Sequence, residues 1–450
     1  MSGLFGTDGI RGIANEYPIT PEMGFKLGRA VVGFSRQKGV STGIVTGRDT
    51  RASGEILDDA IVSGVLSAGG DAYRVGILPT PGVAYLTKKL GAGAGIVLSA
   101  SHNPQEYNGF KLFTHDGYKL SEDDEGKIES LILDEPSSQQ DGEQGHVKVL
   151  DDAWERYVDF LEKSAPDGFR LQDLKIVLDC ANGATFRVAP ALFERLGQGI
   201  ETMFAKPDGR NINQDCGSQH TGELSRRVKE TGADVGLAFD GDGDRLIAVD
   251  EKGDVLSGDQ ILTICAKILK ERGELKNNIV VSTVMSNMGL RTSLKAFGVE
   301  HCSTRVGDRH VMEEMRRLDS SLGGEESGHI IFRDRHTTGD GIIAAIQFLY
   351  AVKRLGQPLS ELSAMMTAYP QTLINVPVRE KPDIKDVPDL VGIIRDTEEA
   401  LGEEGRVLVR YSGTEPLCRI MVEGRSQADI EKHARRIADV IAERLNPNVS

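Results

Sequence analysis

Three carboxylates recur at every second position directly after an apolar run. They are Asp240, Asp242 and Asp244 in the segment FDGDGDR. In an extended segment, side chains at positions i, i+2 and i+4 share one face, and three carboxylates on one face repel each other unless a cation neutralises them. Hard oxygen ligands of this kind favour Mg²⁺, Ca²⁺ or Mn²⁺. The segment is therefore a candidate metal-binding loop.

Three other interpretations of this acidic loop compete with the metal site. A solvated acidic turn is the simplest of them. An EF-hand would use the three aspartates together with Glu251, but its sixth position requires glycine and is Arg245 here. An aspartyl-phosphate phosphatase would use Asp240 as its nucleophile and would need no serine.

A second cluster of polar residues, SASHNP at 99–104, follows the apolar run at 95–98. A strand that ends in small polar residues presents hydroxyl groups at the carboxyl end of a sheet, where α/β proteins bind their ligands. A serine can accept a phosphoryl group there if a metal or basic side chains neutralise the phosphate. His102 and Lys111 are nearby donors. A polar turn is the alternative, and the residues by themselves do not choose between Ser99 and Ser101.

Several further clusters combine glycine with hydroxyl-bearing or charged residues. Near the C-terminus, RYSGTEP at 410–416 is followed by Arg419; its backbone N–H groups, hydroxyls and arginines suit a phosphate dianion. GGEESGH at 323–329 has groups that can hydrogen-bond sugar hydroxyls. FGTDGIRG at 5–12 and GRDTR at 47–51 place arginine beside glycine and threonine. Each cluster has a plain alternative, namely a turn, a loop or a weak surface ion pair. No Walker-type motif occurs, which disfavours a P-loop kinase or ATPase.

Composition narrows the class of protein. The chain has 53 basic and 68 acidic residues, a net charge of −15, and no basic run, so we expect no binding of nucleic acid. Five scattered cysteines without a C-x-x-C pair predict a reducing compartment and no zinc site. The N-terminal sequence has no signal-peptide pattern, and no window reaches about 18 apolar residues. We therefore expect a cytoplasmic protein that does not enter a membrane.

The elements that must position these clusters alternate between strands and helices. Apolar runs predict buried strands at 95–98, 175–178, 235–239 and 279–284, and a less regular strand at 73–78, which Arg74 interrupts. Helices are predicted from Thr20-Pro21, over 152–163 and over 340–355. The polar stretch 135–148 is predicted to be a boundary or surface loop, and 251–254 a hairpin turn. Such alternation predicts α/β units with mostly parallel sheets.

The last 80 or so residues have a different pattern. They predict a strand at 372–378, a helix at 388–401, strands at 407–411 and 419–422, and a helix at 427–445. We therefore predict three consecutive α/β domains with mixed or parallel sheets and a C-terminal α+β domain. The expected boundaries are 1–150 with the serine loop, 151–255 with the metal loop, 256–367 with the GEESGH loop, and 368–450 with the phosphate-binding segment.

Taken together and in this order, the motifs closely resemble those of the α-D-phosphohexomutase superfamily over essentially the whole chain. SASHNP resembles its phosphoserine loop, and this resemblance selects Ser101 over Ser99. DGDGDR resembles its Mg²⁺ loop, GEESGH its sugar-hydroxyl loop and RYSGTEP its phosphate-binding loop. The resemblance implies four domains around a central cleft.

The resemblance also implies roles for individual residues. It implies one Mg²⁺ per chain, held by a phosphate on Ser101 and by Asp240, Asp242 and Asp244. The implied catalytic residues are Ser101, His102, Lys111, Arg11 and Arg245. The implied substrate-binding residues are Thr7, Arg305, Gly307, Asp308, Glu325, Ser327, His329, Arg410, Ser412, Gly413, Thr414 and Arg419.

An isomerase follows from this resemblance, one that moves a phosphoryl group between two hydroxyls of a hexose through a phosphorylated Ser101 and a bisphosphosugar. LFGTDGIRG at 4–12, ILPTPG at 77–82 and LDCANGAT at 178–185 are most similar to the branch that acts on glucosamine phosphates, although Glu326 stands where that branch commonly carries glutamine. Enzymes for mannose or glucose phosphates are the nearest alternative. A Mg²⁺-dependent sugar phosphatase and a non-enzymatic sugar-phosphate-binding protein stay open. The expected partner is a small phosphosugar, with a homodimer as an open option.

Overall fold

The computed structural model describes residues 3–6, 8–133, 145–412 and 416–446. It divides into two compact units, Met1–Ser286 with Leu294–Met365 and Asn287–Ser293 with Met366–Ser450. Among the described residues, three β-sheets lie in the first unit and one in the second. No helix in these parts of the chain is long and apolar enough to cross a membrane.

The first sheet has six strands and carries the serine loop. Its strands are β1 (Ile10–Ile13), β2 (Ile44–Arg48), β3 (Ala72–Ile77), β4 (Ala94–Leu98), β5 (Tyr107–Thr114) and β6 (Val147–Val149), in the order β1-β5-β4-β2-β3-β6. The helices are α1 (Pro21–Gln37), α2 (Ser53–Ser67), α3 (Thr80–Lys89) and α4 (Glu122–Leu133). Strand β5 is antiparallel to both of its neighbours, whereas the pairs among β4, β2, β3 and β6 are parallel.

Local sequence explains how α1 begins and how it packs. Thr20 caps the helix by accepting a hydrogen bond from the Met23 N–H at 3.2 Å, and Pro21 occupies the first turn. A Cβ added at Gly28 would lie 2.3 Å from the Ile61 carbonyl oxygen of α2. The glycine is therefore required for the close approach of these two helices.

The second sheet carries the acidic loop. Its strands are β7 (Ile176–Asp179), β8 (Ile200–Met203), β9 (Val235–Phe239), β10 (Leu246–Asp250) and β11 (Val255–Leu256), in the order β11-β10-β9-β7-β8. Helices α5 (Ala153–Ser164), α6 (Thr185–Leu196) and α7 (Gly222–Thr231) accompany it. Strands β9 and β10 are antiparallel and joined by residues 240–245, so the acidic loop is the connection at the carboxyl end of β9.

The third sheet has four strands, β12 (Ile279–Thr283), β13 (Glu300–Thr304), β14 (Leu322–Gly324) and β15 (Ile330–Phe332), in the order β13-β12-β14-β15. The helices of this region are α8 (Gly258–Glu271), α10 (Asp308–Arg317), α11 (Gly341–Leu355) and α12 (Leu359–Ser363), with a 3₁₀ turn at Lys276–Asn278. Helix α9 (Met288–Ala296) follows β12 in the chain, and its residues 288–293 belong to the second unit. Asp340 caps α11 by accepting hydrogen bonds from the N–H groups of Ile342 and Ile343, both at 3.0 Å. Strands β12, β13 and β14 pair in parallel, and β15 is antiparallel to β14.

The second unit contains an antiparallel sheet of β16 (Gln371–Pro377), β17 (Gly405–Tyr411) and β18 (Leu417–Gly424), in the order β16-β18-β17. Helices α13 (Pro388–Leu401) and α14 (Gln427–Leu445) pack against it, with 3₁₀ turns at Ile384–Asp386 and Gly402–Glu404. The apolar face of α14, with Ile430, Ile437 and Ile441, is fully buried. The predicted α+β architecture of this region is confirmed.

The predicted strands and helices are confirmed to within about two residues, and two details differ from expectation. Arg74 does not interrupt β3, because its guanidinium group turns to the Asp58 carboxylate at 2.7 Å while the strand continues. Strand β6 begins inside the predicted loop 135–148 and ends one residue beyond it; residues 135–144 of that loop lie outside the described residues. Each sheet of the first unit contains at least one antiparallel pair beside its parallel pairs, so the predicted mixed sheets are confirmed. The four domain boundaries stay a proposal; they assign one sheet to each segment, except that strand β11 of the second sheet crosses the boundary between 255 and 256.

Candidate active site

Ser101 lies three residues after the end of the fully buried strand β4 and is itself buried. Its backbone has a φ of +51°, a conformation that residues other than glycine seldom adopt. Its Oγ donates a hydrogen bond to Asp240 Oδ2 at 2.6 Å. The structure therefore brings the serine of the SASHNP loop against the first aspartate of the acidic loop, which lies 139 residues away in the chain.

The three aspartates of the acidic loop converge at this point. Asp240, Asp242 and Asp244 are all buried, and each offers a carboxylate oxygen within 4.8 Å of the others. Within the described parts of the chain, Asp242 Oδ1 and Asp244 Oδ1 have no hydrogen-bond partner although both are buried. Buried carboxylate oxygens without partners are costly unless a cation takes them. The group fits a hard divalent ion such as Mg²⁺.

The loop geometry excludes two alternatives raised by its sequence. The segment joins two antiparallel strands rather than two helices, so it is not an EF-hand. Its carboxylates are buried, so it is not a solvated turn. Thr80, at the start of α3, holds Asp242 in place with two hydrogen bonds. Its backbone N–H donates to the Asp242 carbonyl oxygen at 2.8 Å, and its Oγ1 donates to Asp242 Oδ2 at 2.5 Å.

Asp240 and Asp244 have very different pKa values, although they lie close together. Burial raises the pKa of Asp240 well above its usual value, and the negative charges of Asp244 and Asp242 add to this rise. Burial also acts to raise the pKa of Asp244, but Lys111 and His329 outweigh it and hold that pKa well below the usual range. Negative charge in the trio therefore concentrates on the side that faces Lys111 and His329.

Lys111 is the buried cation of this centre and projects from β5. Its Nζ lies 2.7 Å from Asp242 Oδ2, 3.1 Å from Asp244 Oδ2 and 3.2 Å from Asp8 Oδ2. Burial acts to lower the pKa of Lys111, but these carboxylates raise it well above the usual value. Lys111 is therefore held as an ammonium group among three acids.

Asp8 and Lys119 extend the charge network toward α10. Asp8 is paired with Arg11 and Lys119 as well as with Lys111, and Lys119 Nζ lies 2.5 Å from Asp308 Oδ2. Despite burial, these cations keep the pKa of Asp8 far below its usual range. Asp8 and Lys119 were not predicted as site residues; the FGTDGIRG motif contains Asp8 but gives no sign of its partners. Thr7 lies outside the described residues.

His329 connects Asp308 to the acidic loop. Its Nε2 lies 3.3 Å from Asp308 Oδ2 and its Nδ1 lies 3.6 Å from Asp244 Oδ1. Burial acts to lower the pKa of His329, but the two carboxylates outweigh it and raise that pKa to about 9. Glu325, in the same loop, accepts a hydrogen bond from the Gly307 N–H at 3.1 Å. Burial raises the pKa of Glu325.

His102 and Arg245 flank the serine and the aspartates. His102 Nδ1 lies 3.3 Å from Ser101 Oγ. Burial lowers the pKa of His102 to about 4, with further lowering by Arg245 and Arg11. Arg245 Nε lies 3.9 Å from Asp240 Oδ2, and its backbone N–H donates to Asp240 Oδ1 at 3.1 Å.

Two residues with expected substrate roles lie at the margin of this cluster. Ser327 is half-buried between Glu325 and His329. Arg305 is mostly exposed, and its guanidinium group lies 3.8 Å from the carboxylate of Glu122. Neither side chain is held as firmly as the buried acids and bases of the centre.

The predicted phosphate-binding segment forms its own cluster in the second unit. Arg410 on β17 and Arg419 on β18 are directly paired across the sheet, and Arg419 Nη2 donates to Ser412 Oγ at 3.4 Å. Burial and the nearby Arg419 charge lower the pKa of Arg410. Lys381 Nζ, which the sequence did not single out, donates to the Ser412 carbonyl oxygen at 2.7 Å. Gly413 and Thr414 lie outside the described residues.

The GRDTR cluster at 47–51 is not a surface turn. Asp49 and Arg51 are both fully buried, and Arg51 donates hydrogen bonds to carbonyl oxygens of the serine loop. Asn213, from the second sheet's region, also donates to the Ser101 carbonyl oxygen, at 2.8 Å. GRDTR was noted as a motif in the sequence, but nothing in the sequence indicated that this segment and Asn213 both contact the serine loop.

Comparison with known families gives matches along the whole chain. The alpha/beta/alpha domains I, II and III of the phosphoglucomutase/phosphomannomutase family match residues 2–139, 155–253 and 257–369, and the C-terminal domain of that family matches residues 373–440. Each match contains one of the clusters described above. The order of the four matches is that of the family's domain numbers.

Two bacterial relatives are similar over nearly their full length. A protein of Syntrophus aciditrophicus named phosphoglucosamine mutase is 53% identical, with 99% of this chain and 100% of that protein covered. One of the same name from Syntrophobacter fumaroxidans is 52% identical, with 98% and 99% covered.

Solved structures show the same fold at lower identity. A phosphoglucomutase/phosphomannomutase family protein of Burkholderia thailandensis has a TM-score of 0.81 at 24% identity, with 97% of each chain covered. Aspergillus fumigatus N-acetylphosphoglucosamine mutase, solved in complex with GlcNAc-6P and magnesium, has a TM-score of 0.64 at 20% identity, with 81% of this chain and 92% of that chain covered.

Proposed function

The chain belongs to the phosphoglucomutase/phosphomannomutase family, and we propose that within it the chain acts as a phosphoglucosamine mutase, which interconverts glucosamine 6-phosphate and glucosamine 1-phosphate. The enzyme is thus an isomerase that transfers a phosphoryl group within a sugar. One observation carries the proposed chemistry: Ser101 Oγ lies 2.6 Å from Asp240 in a buried trio of aspartates. The choice of glucosamine is supported by the names of relatives that are 53% and 52% identical.

One Mg²⁺ per chain would be held by Asp240, Asp242 and Asp244 together with a phosphate on Ser101. The fit is supported by Asp242 Oδ1 and Asp244 Oδ1, two buried oxygens that accept no hydrogen bond. When bound, Mg²⁺ neutralises negative charge that develops as a phosphoryl group is transferred.

Ser101 would carry the phosphoryl group in the resting enzyme, give it to a sugar phosphate to form a bisphosphosugar, and take the other phosphate back. His102, whose Nδ1 lies 3.3 Å from Ser101 Oγ, would take the proton of the sugar hydroxyl that accepts the phosphoryl group and give it to the departing Ser101 Oγ; the return transfer would reverse this. Lys111, Arg245 and Arg11 would offset negative charge around the transferred group. Of these, Lys111 is the one held closest to the aspartates, at 2.7 Å from Asp242.

The substrate would be held by two sets of residues. Its phosphate would bind the segment of Arg410, Ser412, Gly413, Thr414 and Arg419, a proposal supported by the cross-strand arginine pair. Its sugar hydroxyls would bind Glu325, Ser327 and His329, with Thr7, Arg305, Gly307 and Asp308 around them. Glu325 and Gly307 are already joined by a hydrogen bond, which supports their assignment to one subsite.

The proposal is tested by intact mass spectrometry and turnover of Ser101→Ala. We expect the wild-type protein to carry the mass of one phosphoryl group, and the variant to lack it and to lose nearly all Mg²⁺-dependent conversion of glucosamine 6-phosphate. Ser130→Ala, which removes an exposed hydroxyl on α4, is the control and should keep both. A Ser101→Ala variant with wild-type turnover would refute the covalent mechanism.

Substrate comparison separates the remaining alternatives. Faster turnover of glucose or mannose phosphates than of glucosamine 6-phosphate would assign the chain to another branch of the family. Release of inorganic phosphate with a labelled aspartate would instead indicate a phosphatase. We further propose a cytoplasmic enzyme that binds no nucleic acid, in line with its net charge of −15. A homodimer is the assembly to test by light scattering.

A further inference from the structure

The loop that carries Ser101 adopts a backbone conformation that it would not hold by itself. Ser101 has a φ of +51°, in the left-handed region that favours glycine. Such a conformation persists in a non-glycine residue only where the surrounding structure imposes it. In this loop it accompanies the contact of Ser101 Oγ with Asp240 Oδ2 at 2.6 Å. The groups that impose the conformation therefore also place the hydroxyl.

Arg51 donates three hydrogen bonds to this loop. Its side chain is fully buried, and its guanidinium group donates hydrogen bonds to the carbonyl oxygens of Ser101 at 3.1 Å, Asn103 at 2.8 Å and Pro104. These three carbonyls span the turn that follows Ser101. A rigid, planar group with five N–H donors can bind three carbonyls at once, whereas a lysine ammonium group cannot reproduce this geometry.

Asp49 closes a circuit between Arg51 and the serine. One carboxylate oxygen, Oδ2, accepts from Arg51 Nε at 2.9 Å and from Ser99 Oγ at 2.6 Å. Ser99 Oγ in turn accepts from the Ser101 N–H at 2.9 Å. Arg51 thus holds the carbonyl side of Ser101, and Asp49 holds its amide side through Ser99. The Asp49–Arg51 ion pair therefore holds both peptide groups that flank Ser101.

Asn213 supplies a second support from the region of the second sheet. Its Nδ2 donates to the carbonyl oxygens of Ser101 at 2.8 Å and Asn103 at 3.0 Å, the same two oxygens that Arg51 contacts. The loop is therefore held between the first and the second sheet's regions. The acidic loop belongs to the second region, so these contacts also fix the serine relative to the aspartates.

We propose that Asp49 and Arg51 are positioning residues for phosphoryl transfer. They hold the Ser101 loop so that its hydroxyl stays at the aspartates, and because both are fully buried they act without contacting the substrate. The inference rests on the proposed function, since it takes Ser101 as the residue that carries the phosphoryl group. A shift of about 1 Å in a reacting group costs roughly 10²-fold in rate, so a loosened loop should lower kcat and leave substrate binding intact.

Arg51→Lys is the variant that tests this role most directly. It keeps a positive charge beside Asp49 but removes the planar group that binds three carbonyls. We expect kcat to fall by about 10²-fold, with the KM for glucosamine 6-phosphate within about threefold of the wild type. Arg333→Lys is the matched control, because Arg333 also donates to a backbone carbonyl, that of Ser320 at 2.7 Å, away from the serine loop. The kcat of Arg333→Lys should equal that of the wild type.

Ser99→Ala tests the amide side of the same circuit. Removal of its hydroxyl disconnects Asp49 from the Ser101 N–H, and kcat should fall by about tenfold with KM preserved. Because Ser99 and Arg51 act through one carboxylate, the double variant should lose little more than Arg51→Lys does. If the fold-losses in kcat of the two single variants multiplied in the double variant, Ser99 and Arg51 would act independently and the shared circuit would be overturned. If Arg51→Lys does not fold, Ser99→Ala decides the question by itself.

The outcomes distinguish this inference from the function on which it rests. A folded Arg51→Lys protein with wild-type kcat would overturn the positioning role, while an inactive Ser101→Ala protein would leave the proposed function standing. An active Ser101→Ala protein would end both. A rise in KM without a change in kcat in Arg51→Lys would also overturn the role, because it would place Arg51 in substrate binding.

Discussion

The serine–aspartate centre of the first unit and the arginine pair of the second unit hold charge in different ways. In the centre, Ser101, Asp240 and Lys111 are almost completely buried, and each is fixed by short contacts to its neighbours. In the second unit, every residue of β17, including Arg410, is half-buried. The centre is enclosed, whereas the half-buried arginines of the second unit form a more open region.

This difference matches what each region would have to do. Charge that develops during a chemical step is stabilised best by fixed groups from which water is excluded. A phosphate that is only bound and released needs positive charge and hydrogen-bond donors, and it tolerates water. We therefore expect changes in the buried centre to lower kcat, and changes at the arginine pair to raise KM.

The largest effect should come from removing the buried cation. Lys111→Met leaves the carboxylates of Asp8, Asp242 and Asp244 without their shared ammonium group. We expect kcat to fall by about 10³-fold and the free energy of unfolding to fall by about 3–5 kcal/mol. Steady-state kinetics and urea unfolding measure the two effects. Lys127→Met, an exposed lysine on α4, is the control, and equal behaviour of the two variants would contradict the contrast between buried and exposed charge.

The buried histidine His336 makes the stability of the first unit depend on pH. His336 is buried with Nε2 at 3.0 Å from the Pro81 carbonyl oxygen, and burial lowers its pKa to about 4. The unfolded chain binds the proton more readily, with a pKa near 6.5. His336 therefore contributes stability above about pH 6.5 that is lost as the pH falls toward 4, up to roughly 3 kcal/mol.

His336→Gln should remove that part of the acid dependence. We expect the urea midpoint of the wild type to fall more steeply than that of the variant between about pH 6.5 and 4. His146→Gln changes an exposed histidine and should keep the wild-type slope. Parallel pH curves for His336→Gln and the wild type would show that the interior accepts charge more easily than we infer.

Substitutions in the more open region should change KM rather than kcat. Arg419→Ala removes a charged donor from the proposed phosphate site, so we expect KM to rise about tenfold or more, with kcat within about threefold. Arg425→Ala, at an exposed arginine in the same unit that pairs with Glu404, is the control and should leave KM unchanged. A fall in kcat at constant KM would place Arg419 in the chemical step and remove the contrast.

Salt should produce the smallest effect. Raising the ionic strength from about 0.1 M to 1 M shortens the Debye length from about 10 Å to 3 Å, which screens exposed charges far more than buried ones. We expect KM to rise a few-fold and kcat to stay nearly constant, with a weaker salt dependence of KM in Arg419→Ala. A salt-sensitive kcat with a constant KM would reverse the assignment of the two regions.

Local patterns in the sequence were enough to predict most elements near these regions. Strand β9 is an unbroken apolar run and was predicted with its observed bounds, as were α13 and α14. The three aspartates could be recognised because their spacing of two residues has a direct physical meaning in an extended segment. The resemblance of the motifs to a known superfamily then selected Ser101, which the residues alone did not.

Other features could not be predicted, because they depend on residues far apart in the chain. The sequence GRDTR is compatible with an exposed ion pair, yet Asp49 and Arg51 are buried against a loop 50 residues further on. Lys111 interrupts the apolar residues of β5, and nothing in the neighbouring sequence indicates that three carboxylates surround it. Strand β6 has only three residues and exposed side chains, so it lacks a pattern of alternating burial.

By itself the sequence determined which segments form strands and helices and which residue types could carry phosphoryl chemistry, because hydrophobic periodicity and side-chain chemistry are local properties. Only the tertiary structure decided that Ser101 meets Asp240, that Lys111 lies among three acids and that Arg51 holds the serine loop. Those relations follow from how separate sheets pack. Burial then sets how strongly these charges interact, since the loss of an ion pair costs little at the surface but leaves an uncompensated charge where water is excluded.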